Sequence, residues 1–251
     1  MSPPPLASRE QARQRRFDTV WRRQLDKVFA DVAPYYDRAN LVASLGLWNW
    51  ILGRFMATID LRSGQRVLDV CAGTNAVGIA LLQREPSLEL LAIDRSVAMQ
   101  EVGRDRAEAR GFHIQSLIGD VHELPFPDNH FDVVTLQWAS RHLRIRRVFE
   151  EVFRVLKPGG CFHHCDMLRP RNRVVEKLYH GYLRFCLSFT AVLFGSGPTA
   201  LSARTYFINA LEMFYSADEL SDVLRAQGFR SVAARTLFAG TLGFHRAAKP
   251  G

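Results

Sequence analysis

Three aspartates stand where alternating strands and helices would present them to a ligand. They are Asp69 in RVLDV, Asp94 at the end of LELLAID and Asp120 after SLIG. Between the first two runs a stretch of small residues, Cys71-Ala72-Gly73-Thr74-Asn75-Ala76. It has the place of a nucleotide-binding turn but not its chemistry. Gly73 and Gly78 are five apart, so the G-x-G-x-x-G spacing is missing. A pyrophosphate wants free backbone N–H groups and positive charge, and the neighbouring acids would repel it. The implied ligand is cationic or neutral near the loop and carries a ribose whose hydroxyls Asp94 can accept. S-adenosylmethionine meets these demands. Its sulfonium is positive, its ribose diol can donate to Asp94, and its adenine amino group can donate to Asp120 with the Val121 backbone near the ring nitrogens. Asp69, Ala72, Gly73, Thr74, Asn75, Arg95 and Gln137 complete the expected cofactor contacts. Taken singly, Asp94 also reads as a helix N-terminal charge and Asp120 as a turn residue. Their joint placement on both sides of a small-residue loop favours the cofactor.

The elements that would position these groups follow from the hydrophobic pattern. Strands are expected at 66–70, 88–93, 113–118, 131–136 and 161–166. Helices are expected at 76–84, 97–110 and 145–156, with Ser96 as an N-cap and KPGG (157–160) ending the last of them. Ser216 can cap a helix that runs to residue 226, and 231–236 with 240–245 reads as a closing strand pair. Strand–helix alternation implies parallel units, hence an α/β doubly wound, Rossmann-like sheet, mostly parallel with an antiparallel closing strand. In such a sheet ligands bind beyond the carboxyl ends of the strands. Upstream, Phe17, Val20, Trp21, Leu25, Val28 and Phe29 form a helical stripe over 9–32, and Pro34 ends it. A second helix holds Leu41, Leu45, Trp48, Leu52 and Phe55. The organisation expected is a basic N-terminal arm and amphipathic helix over 1–31, then one catalytic-type domain over 32–251 with a helical lid at about 172–214. The stripe reads first as a cap packed on the domain, and second as a surface touching lipid.

The chain has 251 residues, a formal charge of +8 and 47% hydrophobic residues, enough for a packed core. Of its 33 basic residues 29 are arginines. Basic charge permits anionic lipid or nucleic acid as a partner, but no nucleic-acid-binding signature is present, so nucleic acid is not expected. Four cysteines without C-x-x-C spacing suggest a reducing compartment and no disulfide framework. The first seventeen residues lack an apolar signal-like run, and are expected to fray. His163, His164, Cys165 and Asp166 invite a divalent metal. Alternation would put His164 and Asp166 on one strand face, where His142 or His122 could join them, but no standard spacing supports a metal site. Residues 178–195 are apolar but carry His180 and Arg184, and are too short and charged for a membrane span. They could line a tunnel for an oily substrate or dip into a membrane interface.

LPFPDNHFDVVTLQ followed by RVLKPGG resembles class I S-adenosylmethionine-dependent methyltransferases. VAPYYDRANLVAS resembles the YDxxN segment of the ubiquinone/menaquinone-biosynthesis C-methyltransferases, and WASRHL stands at their FGLRN-like segment. LRAQGFRSV and GTLGFHRA resemble their closing strands. The resemblance covers roughly 28–246. It implies a polyprenyl quinone as substrate and peripheral attachment to the inner face of the cell membrane, from the cytoplasm in a bacterium or the mitochondrial matrix in a eukaryote. It also implies roles for Tyr36 in the early segment, for Arg141 as stabiliser of a phenolate, and for His142 or Asp166 as proton acceptor.

The departures cluster at strand ends. The family loop usually reads GTGD or GTAD, whereas here Gly73-Thr74-Asn75-Ala76 lacks the acid. Asn of FGLRN has become His142, Ala39 stands where Met is usual, and the strand after KPGG ends in HHCDML. A rhodoquinone-forming branch is associated with an Asn-bearing loop of this kind. Its reaction replaces a ring methoxy group of ubiquinone by an amino group. The expectation is therefore that reaction first, C-methylation of a demethylated quinol precursor second, and a non-catalytic S-adenosylmethionine-binding accessory protein third.

Overall fold

The structure is a computed structural model that describes residues 5–17, 22–194 and 206–251. Strands β1 (Arg66–Val70), β2 (Glu89–Asp94), β3 (Gln115–Ile118), β4 (Phe131–Gln137), β5 (Leu156–Met167), β6 (Arg230–Leu237) and β7 (Leu242–Ala248) form one sheet in the order β3-β2-β1-β4-β5-β7-β6. β1 to β5 are mutually parallel, and β7 runs antiparallel to both β5 and β6. This is the doubly wound sheet that the alternation predicts. Val67, Leu68 and Val70 of β1 are fully buried, because helices cover both faces.

On one face α7 (Ile145–Val155) presents Ile145, Val148, Phe149, Val152 and Val155 at helical spacing. They pack with Leu68, Val70, Leu136 and Phe162. Burying a side chain such as Phe149 contributes roughly 1.5–3 kcal/mol. On the other face α4 (Trp48–Met56) and α5 (Ala76–Arg84) pack Ile51, Phe55, Ile79 and Leu81 against Val67 and Ala92. α6 (Val97–Glu108) follows β2, with Ser96 Oγ accepting from Met99 N as its cap. α10 (Ala217–Ala226) begins with a capping box between Ser216 and Glu219.

Several boundaries differ from the sequence pattern. β5 starts at Leu156, so KPGG lies inside a bulged lead-in to the strand, with Gly159 at φ +77°. The expected second helix is two: α3 (Tyr36–Ala43), entered through a 3-10 turn at Ala33–Tyr35 that carries Pro34, and α4. Left-handed Leu45 and Gly46 separate them. Upstream, α1 (Leu6–Arg16) and α2 (Arg22–Val32) replace one long helix. Val20 and Trp21 of the expected stripe lie outside the described residues.

α1 does not fray. Its basic residues are anchors: the Arg9 guanidinium donates to the Phe214 carbonyl and pairs with Glu219. Arg13 donates to the Leu143 carbonyl at 3.0 Å and lies 4.8 Å over the Phe214 ring. Both are buried. Buried cations of this kind are held by acceptors and ring faces that only the folded domain assembles. In the expected lid, α8 (Arg173–Leu193) and helical residues 206–212 (α9) are described, whereas residues 195–205 lie outside the described residues.

Candidate active site

The loop after β1 alternates in handedness. Cys71, Gly73 and Asn75 have φ of +54°, +52° and +55°. Glycine and asparagine tolerate the left-handed region best, so Asn75 fits the position where the family pattern has Gly. Its side chain is fully buried and packs toward α6, where a Cβ added to Gly103 would lie 2.9 Å from Nδ2. Asn75 thus shapes the loop from beneath, contrary to the expectation of a cofactor contact. Thr74 is also committed elsewhere. Its hydroxyl donates to Asp37 Oδ1 at 3.0 Å and receives Arg106 Nη1 at 2.9 Å, and Arg106 pairs with Asp37. The YDxxN helix is thereby tied to the loop.

Asp94 closes the other side. Its carboxylate accepts from Gly73 N at 2.9 Å and from Ser96 N at 2.8 Å, and burial pushes its pKa up. Arg95 follows it, half-buried. Asp69 lies deeper. It is 1% exposed, Thr135 donates to its Oδ1 at 2.7 Å, and burial pushes it up to about 7. It supports the loop from below and is closed to a ligand above. After β3, Asp120 accepts from the backbone of His122 at 3.0 Å and meets its ring at 2.5 Å, while the Val121 side chain joins the core. Gln137 at the end of β4 approaches Cys165 Sγ at 4.0 Å. Ala72 is partly buried in the loop, its N–H held by the Ile93 carbonyl at 3.2 Å.

These groups make an electronegative cup. The Cys71 thiol is pushed well above its ordinary range, first by burial and then by the carboxylates of Asp94, Asp69, Asp120 and Asp166. Burial leads that shift, and it is the surrounding carboxylates that disfavour a pyrophosphate and favour a cation. The residues present therefore fit S-adenosylmethionine, with Asp94 and Asp120 as the acceptors for its donors and the Gly73 backbone beside them.

Next to the cup lies an apolar cavity of about 640 Å³ between α2, α3, α4 and α8. Tyr36 and Asn40, four apart on α3, line it with Trp138, Arg141 and His142 from the end of β4. Burial raises the Tyr36 phenol. Arg141 donates to the Trp138 carbonyl at 2.7 Å, pairs with Asp166 and lies 4.6 Å from the Phe207 ring centre. Its Nε and the indole Nε1 of Trp138 have no hydrogen-bond partner. His142 is hydrogen-bonded to the Tyr206 hydroxyl and held well below its usual pKa, by burial first and then by Arg141.

The expectation that Asp166 takes a proton meets a difficulty. Asp166 is fully buried and its oxygens serve Arg141, Ser140 and the Met167 N–H. A carboxylate with no exposed surface and with these donors already on its oxygens is out of reach of a substrate proton. Ser140 also meets His164 Nε2 at 2.8 Å, and His164 continues to His245 at 3.3 Å. This network, with Asp37, Arg106 and Tyr206, lay beyond sequence reasoning. Only the shared strand face of His164 and Asp166 was visible there. Among the described residues no group of three His, Cys, Asp or Glu side chains is placed to hold a metal ion.

The sequence matches the ubiE/COQ5 methyltransferase family over residues 18–249. The chain belongs to that family. A demethylmenaquinone methyltransferase of Clavibacter sepedonicus is 34% identical over 231 residues, covering 90% of this chain and 91% of the relative. The ubiquinone/menaquinone biosynthesis C-methyltransferase UbiE of Azotobacter vinelandii is 32% identical over 235 residues, covering 91% and 90%. Among solved structures, phosphoethanolamine N-methyltransferase 2 of Haemonchus contortus, in complex with S-adenosyl-L-methionine, superposes with TM-score 0.62 at 16% identity over 82% of this chain and 53% of its own. A SAM-dependent methyltransferase of Thermotoga maritima gives 0.63 at 18% identity over 89% and 98%. The family and the fold make this a class I methyltransferase-fold enzyme whose cofactor is S-adenosylmethionine.

Proposed function

We propose that this enzyme acts on the ring of a polyprenyl quinone or its precursor, and that C-methylation of a demethylated menaquinol or ubiquinol is its reaction. The observation that carries the reading is the apolar cavity beside an acid-lined cofactor cup, with the Arg141 guanidinium in its wall. The near-full-length similarity to named quinone C-methyltransferases supports it. S-adenosylmethionine supplies an electrophilic methyl group. The protein has to hold the ring, exclude water and favour the phenolate. Arg141, in the cavity wall, brings the charge that stabilises an anion. Asp166 holds Arg141 in place. His142, neutral and hydrogen-bonded to Tyr206, is the lining group able to receive the phenol proton. The site of action we propose is the inner face of the cell membrane.

A second reading is favoured by the loop and by the weakness of the base. Ala76 stands where the family has an acid, Asp166 is sealed, and the depressed pKa of His142 makes it a reluctant proton acceptor. A reaction at an electrophilic ring carbon needs no such base. There ammonia adds to the oxidised ring and the methoxy group leaves as methanol, turning ubiquinone into rhodoquinone. The two readings separate by quinone profiling in a ubiquinone-producing host that makes no rhodoquinone. Rescue of a strain lacking its quinone C-methyltransferase supports the first. A new lipid with methoxy replaced by amino supports the second. Neither outcome, with the protein folded and S-adenosylmethionine bound, removes both and leaves an accessory role.

A further inference from the structure

α8 is apolar on two sides. Its inner side carries Leu183, Cys186 and Ala191 into the lid, while its outer side presents Val174, Leu178, Phe185, Phe189 and Val192 to solvent. Their spacings of four, seven, four and three place them along one stripe. Leu178 is 71%, Phe185 67% and Val192 80% exposed. The helix is about 30 Å long at 1.5 Å per residue. Soluble monomers rarely leave such a continuous stripe in water.

The stripe continues into the turn between α3 and α4. Tyr182 donates to the Ala43 carbonyl, which places Leu45, 76% exposed, beside α8. Trp50 and Phe238 extend the surface, their rings 6.3 Å apart. Leu45, Leu178 and Phe238 both face solvent and line the cavity. The cavity mouth therefore opens within the apolar face. Beside the face stand exposed Arg54, 5.9 Å from the Trp50 ring centre, and Lys177, next to Leu178 on α8. Nearby carboxylates are answered by cations: Glu176 pairs with Arg173, and Glu212 lies within 3.6 Å of His180 and 3.8 Å of Arg184. The rim is left basic.

We infer that this face docks on an anionic phospholipid bilayer, with α8 lying in the plane of the interface and the cavity mouth opening into the lipid. The occupant follows from three features together: an apolar centre, a basic rim and a cavity mouth within it. A basic rim attracts anionic headgroups, and an apolar face of this depth reaches the acyl boundary. Among the described residues no helix is long and apolar enough to cross a membrane. The docking face explains how a ligand with a long hydrocarbon tail reaches the cavity without crossing water; that consequence rests on the proposed quinone substrate, and the face itself does not.

The test uses the full chain and no substrate. Co-sedimentation is measured with phosphatidylcholine vesicles that contain or lack phosphatidylglycerol. The expected result is binding that is stronger on the anionic vesicles and falls as salt is raised. The double variant Phe185→Ser/Phe189→Ser, which leaves the cavity wall intact, should bind at least about tenfold more weakly. Lys177→Glu should weaken binding to anionic vesicles alone. Brominated lipid should quench a fluorescence component that Trp50→Phe removes. Unchanged melting temperature and S-adenosylmethionine binding certify that the variants fold. Wild-type protein that ignores vesicles, or a double variant that binds as well as wild type, overturns the inference. So does a concentration-dependent dimer abolished by the same substitutions in the absence of vesicle binding, because the face then belongs to a second copy. Turnover of a short-tailed quinone in solution, measured separately, reports on the proposed reaction whatever the vesicles show.

Discussion

Asp69→Asn isolates the cost of a buried acid beneath the cofactor loop. The wild-type carboxyl is 1% exposed and titrates at about 7, against an ordinary 3.8. Burial is the main cause, opposed by the Thr135 hydrogen bond and reinforced by Asp94. The folded protein holds this proton more tightly than the unfolded chain does. Below about pH 4 both states are protonated and the group has no effect on stability. Between about 4 and 7 the unfolded state loses its proton first, so stability falls as pH rises. Above 7 the penalty is constant. At 1.36 kcal/mol per pKa unit the full loss is about 4 kcal/mol, an order-of-magnitude figure. Asparagine cannot ionise, and its oxygen can still accept from Thr135. Its amide nitrogen would take the place of Oδ2, which lacks a hydrogen-bond partner, at a cost of about 1–3 kcal/mol. The variant should therefore be the less stable protein near pH 4, about level with wild type near pH 5, and the more stable one at pH 8, so that the two curves cross. Urea unfolding at half-unit pH steps measures this, and Asp94, present in both proteins, cancels to first order. Parallel stability curves from pH 5 to pH 8 would refute the buried-acid account.

Other substitutions probe the loop and the cavity. Gly103→Ala brings a Cβ to 2.9 Å from Asn75 Nδ2, and should cost about 1–3 kcal/mol in thermal unfolding. Asn75→Gly in the same chain should recover part of that loss, and strict additivity would show that the two do not touch. Asp94→Ala removes the acceptor shared by Gly73 and Ser96, and should weaken S-adenosylmethionine binding by at least about tenfold in calorimetry. An unchanged affinity would sink the cofactor assignment. Arg141→Lys keeps a charge for Asp166 but loses the planar fork. It should lower turnover by roughly 10²–10³ while leaving cofactor affinity in place, and a wild-type rate would dismiss Arg141. Arg9→Ala strips α1 of its bonds to Phe214 and Glu219, so limited proteolysis should cut within residues 6–16 in the variant and spare them in wild type.

The sheet was written locally. Runs such as RVLDV and FDVVTLQ specify buried strands wherever they fall, and the alternation with helices leaves few ways to order them. The ligand-facing strand ends followed from the same rule, so Asp94 and Asp120 were legible. So was the spacing of Tyr36 and Asn40 on one helix face. Which polar groups remain available for chemistry was not legible. Thr74 spends its hydroxyl on Asp37 and Arg106, which come from α3 and α6. Asp166 is closed by Ser140 and Arg141 from the turn after β4. The Asn75 amide is set by the absence of a side chain at Gly103. The basic arm read as frayed because its anchors, Phe214 and Glu219, lie about two hundred residues away. Periodicity is a property of neighbouring residues, and it survives in any fold that buries the same face. Pairing, sealing and exposure depend on which distant segments close over a group. For that reason the sequence determined the sheet and the acids at its strand ends, while only the tertiary structure decided that Asp69 and Asp166 are shut away, that Arg141 lines an apolar cavity, and that one side of α8 is left exposed.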